Sequence, residues 1–457
     1  MIFNQLAFLL VFLPIVLGLF FWPGLERWRP AVLIAASFIF YGASGLRHAS
    51  ILALDITVVY AVMARPKAVG SRVSVAAAIA VPILTLAYFK YAGFLFGTIA
   101  GFAPAANLEQ FSLFRDVLVP AGISFFTFQV IAFAIDRYRG EIPTVPSFAN
   151  FALYVSFFPQ LVAGPIVRLS QVRESIERLP VFRASAVDFA EGGALFVLGL
   201  GYKVLLADRL HGAVLPLAGA PGELSSLSAT YVLLAYSFQI YFDFFGYSLC
   251  AIGLGRFFGF RFPDNFLRPY ESLNPREFWR RWHVTLSYWI RDYLYLPLGG
   301  NRRYVRNILI VFAAAGLWHG AGWSFVAWGL YHGSLVIIYK ALGHIWDTWP
   351  KILQRALTFF LVSAGWTLFL FDFDEALMFW RSAFHLGSAG LGPTPDLGMW
   401  ILLLASAAVC FGVRADKIAI VSASRWREIK MGVGLSALFV AVMLLVDQSQ
   451  TFIYFRF

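Results

Sequence analysis

Apolar stretches recur along almost the whole chain, at 2–22, 31–46, 49–64, 73–98, 117–135, 185–206, 229–255, 305–319, 322–340, 355–371, 397–412 and 431–447, and no polar segment between them is long enough to make a separate domain. A membrane-spanning helix needs about 20 mostly apolar residues, fewer where neighbours shelter it. The spacing therefore predicts roughly a dozen passes within one membrane-embedded unit, 1–457. Composition points the same way: 13% of residues are charged and 60% hydrophobic, whereas soluble domains carry about 25% charged residues. The expected fold class is an all-α polytopic membrane protein of 11–12 transmembrane helices, with re-entrant and interfacial helices around a central cavity. Disorder, a fibre repeat and a secreted disulfide scaffold are excluded together, because Cys250 and Cys410 both lie inside apolar runs, where packing is their expected role.

The net charge of +11 does not point to nucleic acid. Lys and Arg fall in short clusters between apolar runs, as in cytoplasmic loops of membrane proteins. Placing the clusters Arg27/Arg29, Arg65/Lys67/Arg72, Arg137/Arg139, Arg168/Arg173/Arg178/Arg183 and Arg414/Lys417/Arg425/Arg427/Lys430 inside puts the N-terminus outside. The first run lacks the basic flank and small-residue cleavage site of a signal peptide, so it is expected to remain as a helix. Segment 147–165, broken by Pro159, Gly164 and Pro165, is expected to dip into the membrane and return.

Segment 256–306 differs from the rest: ten arginines face four acids, Asp264, Glu271, Glu277 and Asp292, for a net +6. Its aromatic residues, Phe278, Trp279, Trp282, Tyr288, Trp289, Tyr293 and Tyr295, suit the membrane interface. Interfacial helices and a short re-entrant piece on the cytoplasmic side are the expectation. An anchor on anionic lipid accounts for the arginines but not for His283 among them.

Of the histidines, His48, His211, His344 and His385 fall near expected helix ends or loops and receive no chemical role. His319 stands in Gly316-Leu317-Trp318-His319-Gly320-Ala321-Gly322-Trp323, in an apolar tract where ionisable groups are costly and usually functional. A helix from Arg306 to His319 rises roughly 20 Å, so the imidazole stops short of the far surface. A structural histidine in a glycine-mediated helix crossing is the alternative for this motif alone. His283, in Phe278-Trp279-Arg280-Arg281-Trp282-His283, is the second candidate, since an imidazole can take a proton from a hydroxyl and return it to a leaving group.

The blocks Tyr241-Phe242-Asp243-Phe244-Phe245-Gly246-Tyr247-Ser248, Gly259-Phe260-Arg261-Phe262-Pro263-Asp264-Asn265-Phe266 and Glu277-Phe278-Trp279-Arg280-Arg281-Trp282-His283 resemble the membrane-bound O-acyltransferase family. Arg291-Asp292-Tyr293-Leu294-Tyr295-Leu296-Pro297-Leu298-Gly299-Gly300-Asn301-Arg302 and Gly316-Leu317-Trp318-His319-Gly320 resemble its branch containing the alginate O-acetyltransferase membrane subunit. So do Phe158-Pro159-Gln160-Leu161-Val162-Ala163-Gly164-Pro165-Ile166 and the tail ending Tyr454-Phe455-Arg456-Phe457. Two departures are present: Ser248-Leu249-Cys250 where the branch commonly has Ser-Asp-Met, and a short 372–396 stretch with little external surface for a partner.

The resemblance implies a multi-pass protein of a bacterial inner membrane that passes an acetyl group from a cytoplasmic thioester, acetyl-CoA or an acyl carrier, toward an exported polysaccharide of the alginate or cellulose kind. It implies His319 as general base, His283 in proton handling, donor positioning or tunnel lining, and Arg280, Arg281, Trp282 and Trp318 on the donor side. It implies no bound cofactor or metal, contact with membrane lipid, and a periplasmic acetyltransferase or other exopolysaccharide-modification protein as partner. D-alanyl transfer to a cell-envelope polymer, a proton-coupled transporter and a secretion scaffold are the competing readings; no second copy of the 241–320 pattern is found, as a transporter's repeated halves would give.

Overall fold

A chain in lipid must close its backbone hydrogen bonds within itself, and in the computed structural model the polypeptide does so by helices, with no strand among the described residues, 1–102, 119–384, 392–413, 425–448, 450 and 452–453. His385, Arg414, Lys417 and the tail from Tyr454 to Phe457 lie outside them. Six helical segments are long and apolar enough to cross a membrane: Leu46–Met63, Arg72–Ile99, Ala186–Ala218, Trp323–Trp346, Lys351–Leu370 and Glu428–Leu445. Others from the apolar stretches are shorter, such as Arg29–Gly42 with 14 residues, and Ile123–Tyr138, Tyr304–His319 and Leu397–Gly412 with 16 each. Large apolar side chains remain uncovered on many helices: Ile352 is 72% exposed, Leu397 76% and Leu444 77%. Water tolerates single groups of this kind, not repeated faces of them; a membrane covers them.

The chain forms two compact units. The first comprises Met1–Phe196 and Cys250–Pro263. Its core holds Phe8, Phe12, Phe40, Phe158 and Phe258, with ring centroids 5.4–6.2 Å apart where they touch. Buried Arg29 is satisfied by three carbonyls, donating to Phe20, Leu179 and Phe182 at 2.9, 3.1 and 2.7 Å. Segment 147–165 is a broken helix, Phe148–Ser156 then Phe158–Leu161, buried from Phe151 to Val167. The break leaves backbone groups that side chains satisfy: Ser37 Oγ accepts from the Phe158 amide at 3.0 Å, and Gln160 donates to the Tyr154 carbonyl at 2.6 Å. The irregular backbone is thus enclosed in protein, the condition under which lipid tolerates it.

The second unit comprises Val197–Leu249 and Asp264–Phe457. Its centre is a helical hairpin, Tyr304–His319 and Trp323–Trp346. A Cβ at Gly316 would overlap the Phe325 carbonyl, and one at Gly329 the Phe312 carbonyl. Glycine on each helix therefore brings the two backbones into direct contact, and the first helix ends at His319, where Gly320 turns to extended backbone. The arginine-rich segment 256–306 folds mostly as short pieces, Pro269–Glu271, Pro275–Arg281, Val284–Ile290, Arg291–Tyr295 and Gly300–Arg303.

Candidate active site

His319 is 3% exposed and lies at the inner end of a cavity of about 200 Å³. One wall is a single face of the Tyr304–His319 helix, Ile308, Val311, Phe312, Ala315 and His319, whose spacing repeats every three or four residues. Facing them are Leu286, Ser287, Ile290, Arg291 and Tyr295, with Trp279. The rise from Ile308 to His319 is about 16 Å. Arg291 is exposed and paired with Asp292 at 2.6 Å, and Tyr295 is half-buried, so the cavity leads from a polar mouth through apolar walls to a buried imidazole. The imidazole is framed by Trp318, Trp328 and Phe369, with centroids at 4.9, 4.9 and 5.2 Å.

His283 is set by backbone geometry. With Arg268 it is one of two non-glycine residues of positive φ among the described residues, at 43° and 53°. Such a conformation persists where its surroundings over-determine it, and Asn265 does much of this here. The Asn265 carbonyl accepts from the Val284 amide at 2.9 Å, and its side-chain Oδ1 accepts from Thr285 Oγ1 at 2.9 Å. The same Oδ1 is 2.9 Å from His283 Nδ1. An amide oxygen only accepts, so Nδ1 carries the proton and Nε2 is the basic nitrogen. Burial pushes the His283 pKa down to about 3, which keeps the ring neutral at physiological pH. Trp318 joins the two histidines, its ring 5.8 Å from His283 and 4.9 Å from His319.

A second, open groove of about 630 Å³ is lined by Asn301, Arg302, Arg303, Tyr304, Arg306 and Lys340, among others. Tyr295 Oη donates to Asn301 Oδ1 at 2.7 Å, so one hydrogen bond links the wall of the His319 cavity to the wall of this basic groove.

The sequence profile of MBOAT, the membrane-bound O-acyltransferase family, matches residues 113–351, which include both histidines and the entire cavity wall. The chain belongs to this family. It is an acyltransferase embedded in a membrane. Among similar proteins are the probable alginate O-acetylase AlgI of Pseudomonas aeruginosa, 39% identical over 81% of this chain and 72% of its own, and the peptidoglycan O-acetyltransferase of Helicobacter pylori, 35% identical over 81% and 77%. The teichoic acid D-alanyltransferase of Streptococcus thermophilus is 30% identical over 48% of this chain and 56% of its own.

In this O-acyltransferase the residues expected on the donor side fall in different places. Trp318 lies between the two histidines. Trp282 is fully buried against Phe266, Phe278 and Trp366. Arg281 pairs with Glu277 at 2.5 Å, and Arg280 is exposed one residue earlier. The arginine on the cavity wall is Arg291, which sequence reading counted among ten without distinguishing it. Asn265 and His332 were also missed. His332 is fully buried, 4.9 Å from the Trp328 ring, and Trp328 also touches His319. Its signal was available, because it is an ionisable residue inside an apolar span.

Proposed function

We propose that this acyltransferase passes an acetyl group from a cytoplasmic thioester across the membrane to a hydroxyl acceptor, for O-acetylation of an exported cell-envelope polysaccharide, with His319 as general base. The observation that carries this reading is the His319 cavity itself, a buried imidazole at the closed end of an apolar passage that opens beside the Arg291–Asp292 ion pair and, through Tyr295, the basic groove. An anionic donor, acetyl-CoA or an acylated carrier, concentrates at the basic groove of Arg302, Arg303, Arg306 and Lys340 that adjoins the cavity. Its thioester reaches the buried end, where apolar walls exclude water that would hydrolyse it.

At His319 the imidazole accepts the acceptor's hydroxyl proton as the oxygen attacks the thioester carbonyl. The tetrahedral intermediate then collapses with cleavage of the C–S bond, and the imidazolium returns the proton to the thiolate. The balance is one ester and one thiol from one thioester and one alcohol, so no external oxidant, reductant or resident cofactor is needed. An acetyl group is favoured over D-alanine because the O-acetylase and O-acetyltransferase relatives match 81% of the chain, against 48% for the D-alanyl relative. The enzyme resides in a bacterial inner membrane and hands its acetyl group to a periplasmic acetyltransferase that completes polymer modification.

The test is reconstitution in liposomes with acetyl-labelled coenzyme A supplied on one side. Label should pass to an acceptor on the other side, and thiol release should depend on that acceptor. Wild-type protein that leaves acetyl-CoA intact but consumes a D-alanyl carrier would overturn the acetyl assignment.

A further inference from the structure

The second unit also buries a charged cluster that the proposed reaction does not use. Lys203 Nζ is 2.8 Å from Asp208 Oδ1 and 2.5 Å from Asp243 Oδ1, with all three side chains at most 7% exposed. Lys203 sits in the π-helical turn Tyr202–Ala207, inside the apolar segment Ala186–Ala218. π-turns within helices concentrate at functional sites. Asp243 is brought there by Gly246, one turn further along the Ser226–Phe257 helix, where a Cβ would lie 2.6 Å from the Gly199 carbonyl oxygen and 3.1 Å from the Lys203 amide nitrogen.

One lysine does not neutralise two carboxylates, and an uncompensated charge at this depth is costly. The compensation comes from the C-terminal segment. Asp243 Oδ2 accepts from the Ile453 amide at 2.7 Å, and Asp208 accepts a backbone hydrogen bond from Gln450. The gap among Lys203, Asp208, His211, Gln239, Asp243, Gln450 and Ile453 measures about 10 Å³, the smallest space that holds one water. There is no room for a ligand, so the partner of the cluster is the chain's own segment.

That segment leads back to the histidines. Phe452 is 1% exposed and stacks on Tyr247 at 4.7 Å and meets Phe244 at 5.8 Å. Phe244 in turn stands edge-on to His283 at 4.7 Å. We infer that Lys203, Asp208 and Asp243 are positioning residues: together they form a clip that holds Gln450, Phe452 and Ile453 in place as a wall behind His283. A helix–helix lock alone would need no amides from the C-terminal segment, whereas here each aspartate binds one.

The clip predicts a specific split. The donor cavity around Arg291 and His319 contains no residue of this segment, so releasing it should lower turnover while leaving donor half-saturation unchanged. The experiment compares full-length wild type, Asp243→Asn, and the triple variant Lys203→Met/Asp208→Leu/Asp243→Leu in liposomes. The triple variant leaves no unpaired charge to unfold the protein, and Asp243→Asn keeps an acceptor for the Ile453 amide.

Hydrogen exchange over 446–453 should be at least tenfold faster in the triple variant and intermediate in Asp243→Asn, with the Tyr304–His319 helix as protected as in wild type. Turnover of acetyl-CoA should fall in the same order at constant KM. Wild-type protection of 446–453 in the triple variant would overturn the clip. Faster exchange with unchanged turnover, a shifted KM, or faster exchange throughout the chain would overturn the positioning role. The turnover arm rests on the proposed acetyl transfer, but the exchange arm does not: wild-type protein inactive toward acetyl-CoA would count against the donor and still leave the clip decided by exchange.

Discussion

His283 and His319 meet the same indole: the Trp318 ring lies 5.8 Å from the first imidazole and 4.9 Å from the second. They differ in what fixes them. His319 ends a helix held by glycine contact with its neighbour, whereas His283 occupies a left-handed turn tied to Asn265. Their surroundings differ as well: His319 lines the cavity, whereas His283 is absent from its lining and packs against Trp318.

Replacing His319 by alanine should reduce acyl transfer by about 10²–10⁴, the range for loss of a general base. Yield and size-exclusion profile should be unchanged, since the side chain borders an existing cavity. Near-normal transfer by well-folded variant protein would remove the base assignment.

His283 makes stability depend on pH. Its folded pKa is about 3 against about 6.5 in an unfolded chain, so the unfolded state binds the proton more readily. The contribution is complete above about pH 6.5 and is lost as pH falls toward 3, by about 1.4 kcal/mol per pH unit. Between pH 7.5 and 5, the Tm of wild type in detergent should therefore fall more than that of His283→Asn, whose side chain does not titrate and tolerates positive φ. Parallel curves would show that the ring does not resist protonation.

Much of this architecture is legible in the chain because apolar length is a strong signal. The run at 397–412 is the helix Leu397–Gly412, and 305–319 differs from Tyr304–His319 by one residue. His319 was visible from its depth in such a run. Arg291 was not, because ten arginines look alike until the turn at His283 sets the phase of the following helix and puts one of them on the cavity wall. Asn265 was hidden for a related reason: it is 18 residues from His283 in sequence, and their hydrogen bond exists only after folding. The Lys203–Asp243 pair, from two helices, has the same long-range origin.

The hairpin that ends at His319 depends on backbone contact. Gly316→Ala and Gly329→Ala each place a methyl against a carbonyl and should cost about 1–3 kcal/mol or more, as overpacking does. Gly193→Ala, with nothing within 4 Å of the added methyl, should be neutral. Thermal unfolding of the three variants in one detergent separates these outcomes, and equal Tm values would deny the close crossing.

The two sets of arginines make separable predictions about the donor. Arg302→Gln/Arg303→Gln should raise half-saturation by acetyl-CoA in neutral-lipid liposomes and flatten its dependence on salt, because exposed charges are screened beyond about 8 Å at physiological ionic strength. Arg280→Gln/Arg281→Gln disrupts the Arg281–Glu277 pair and tests the other end of the same segment. If only the second pair moves half-saturation, the donor is gripped there and the Tyr295–Asn301 link leads nowhere.

The passage to His319 can be closed without touching its mouth or its imidazole. Ala315 lies on the cavity wall, one helical turn before His319, and is 8% exposed. Leucine at this position adds three carbons to an empty volume, so Ala315→Leu should retain or raise Tm while kcat/KM for the donor falls at least tenfold, about 1.4 kcal/mol at the barrier. The neighbouring Ala314 is exposed on another face of the same helix, and Ala314→Leu should leave both quantities unchanged. Initial rates against acetyl-CoA concentration at matched protein give the comparison. If the two leucine variants use donor equally well, the thioester does not travel along this wall, and His319 must be reached from another direction.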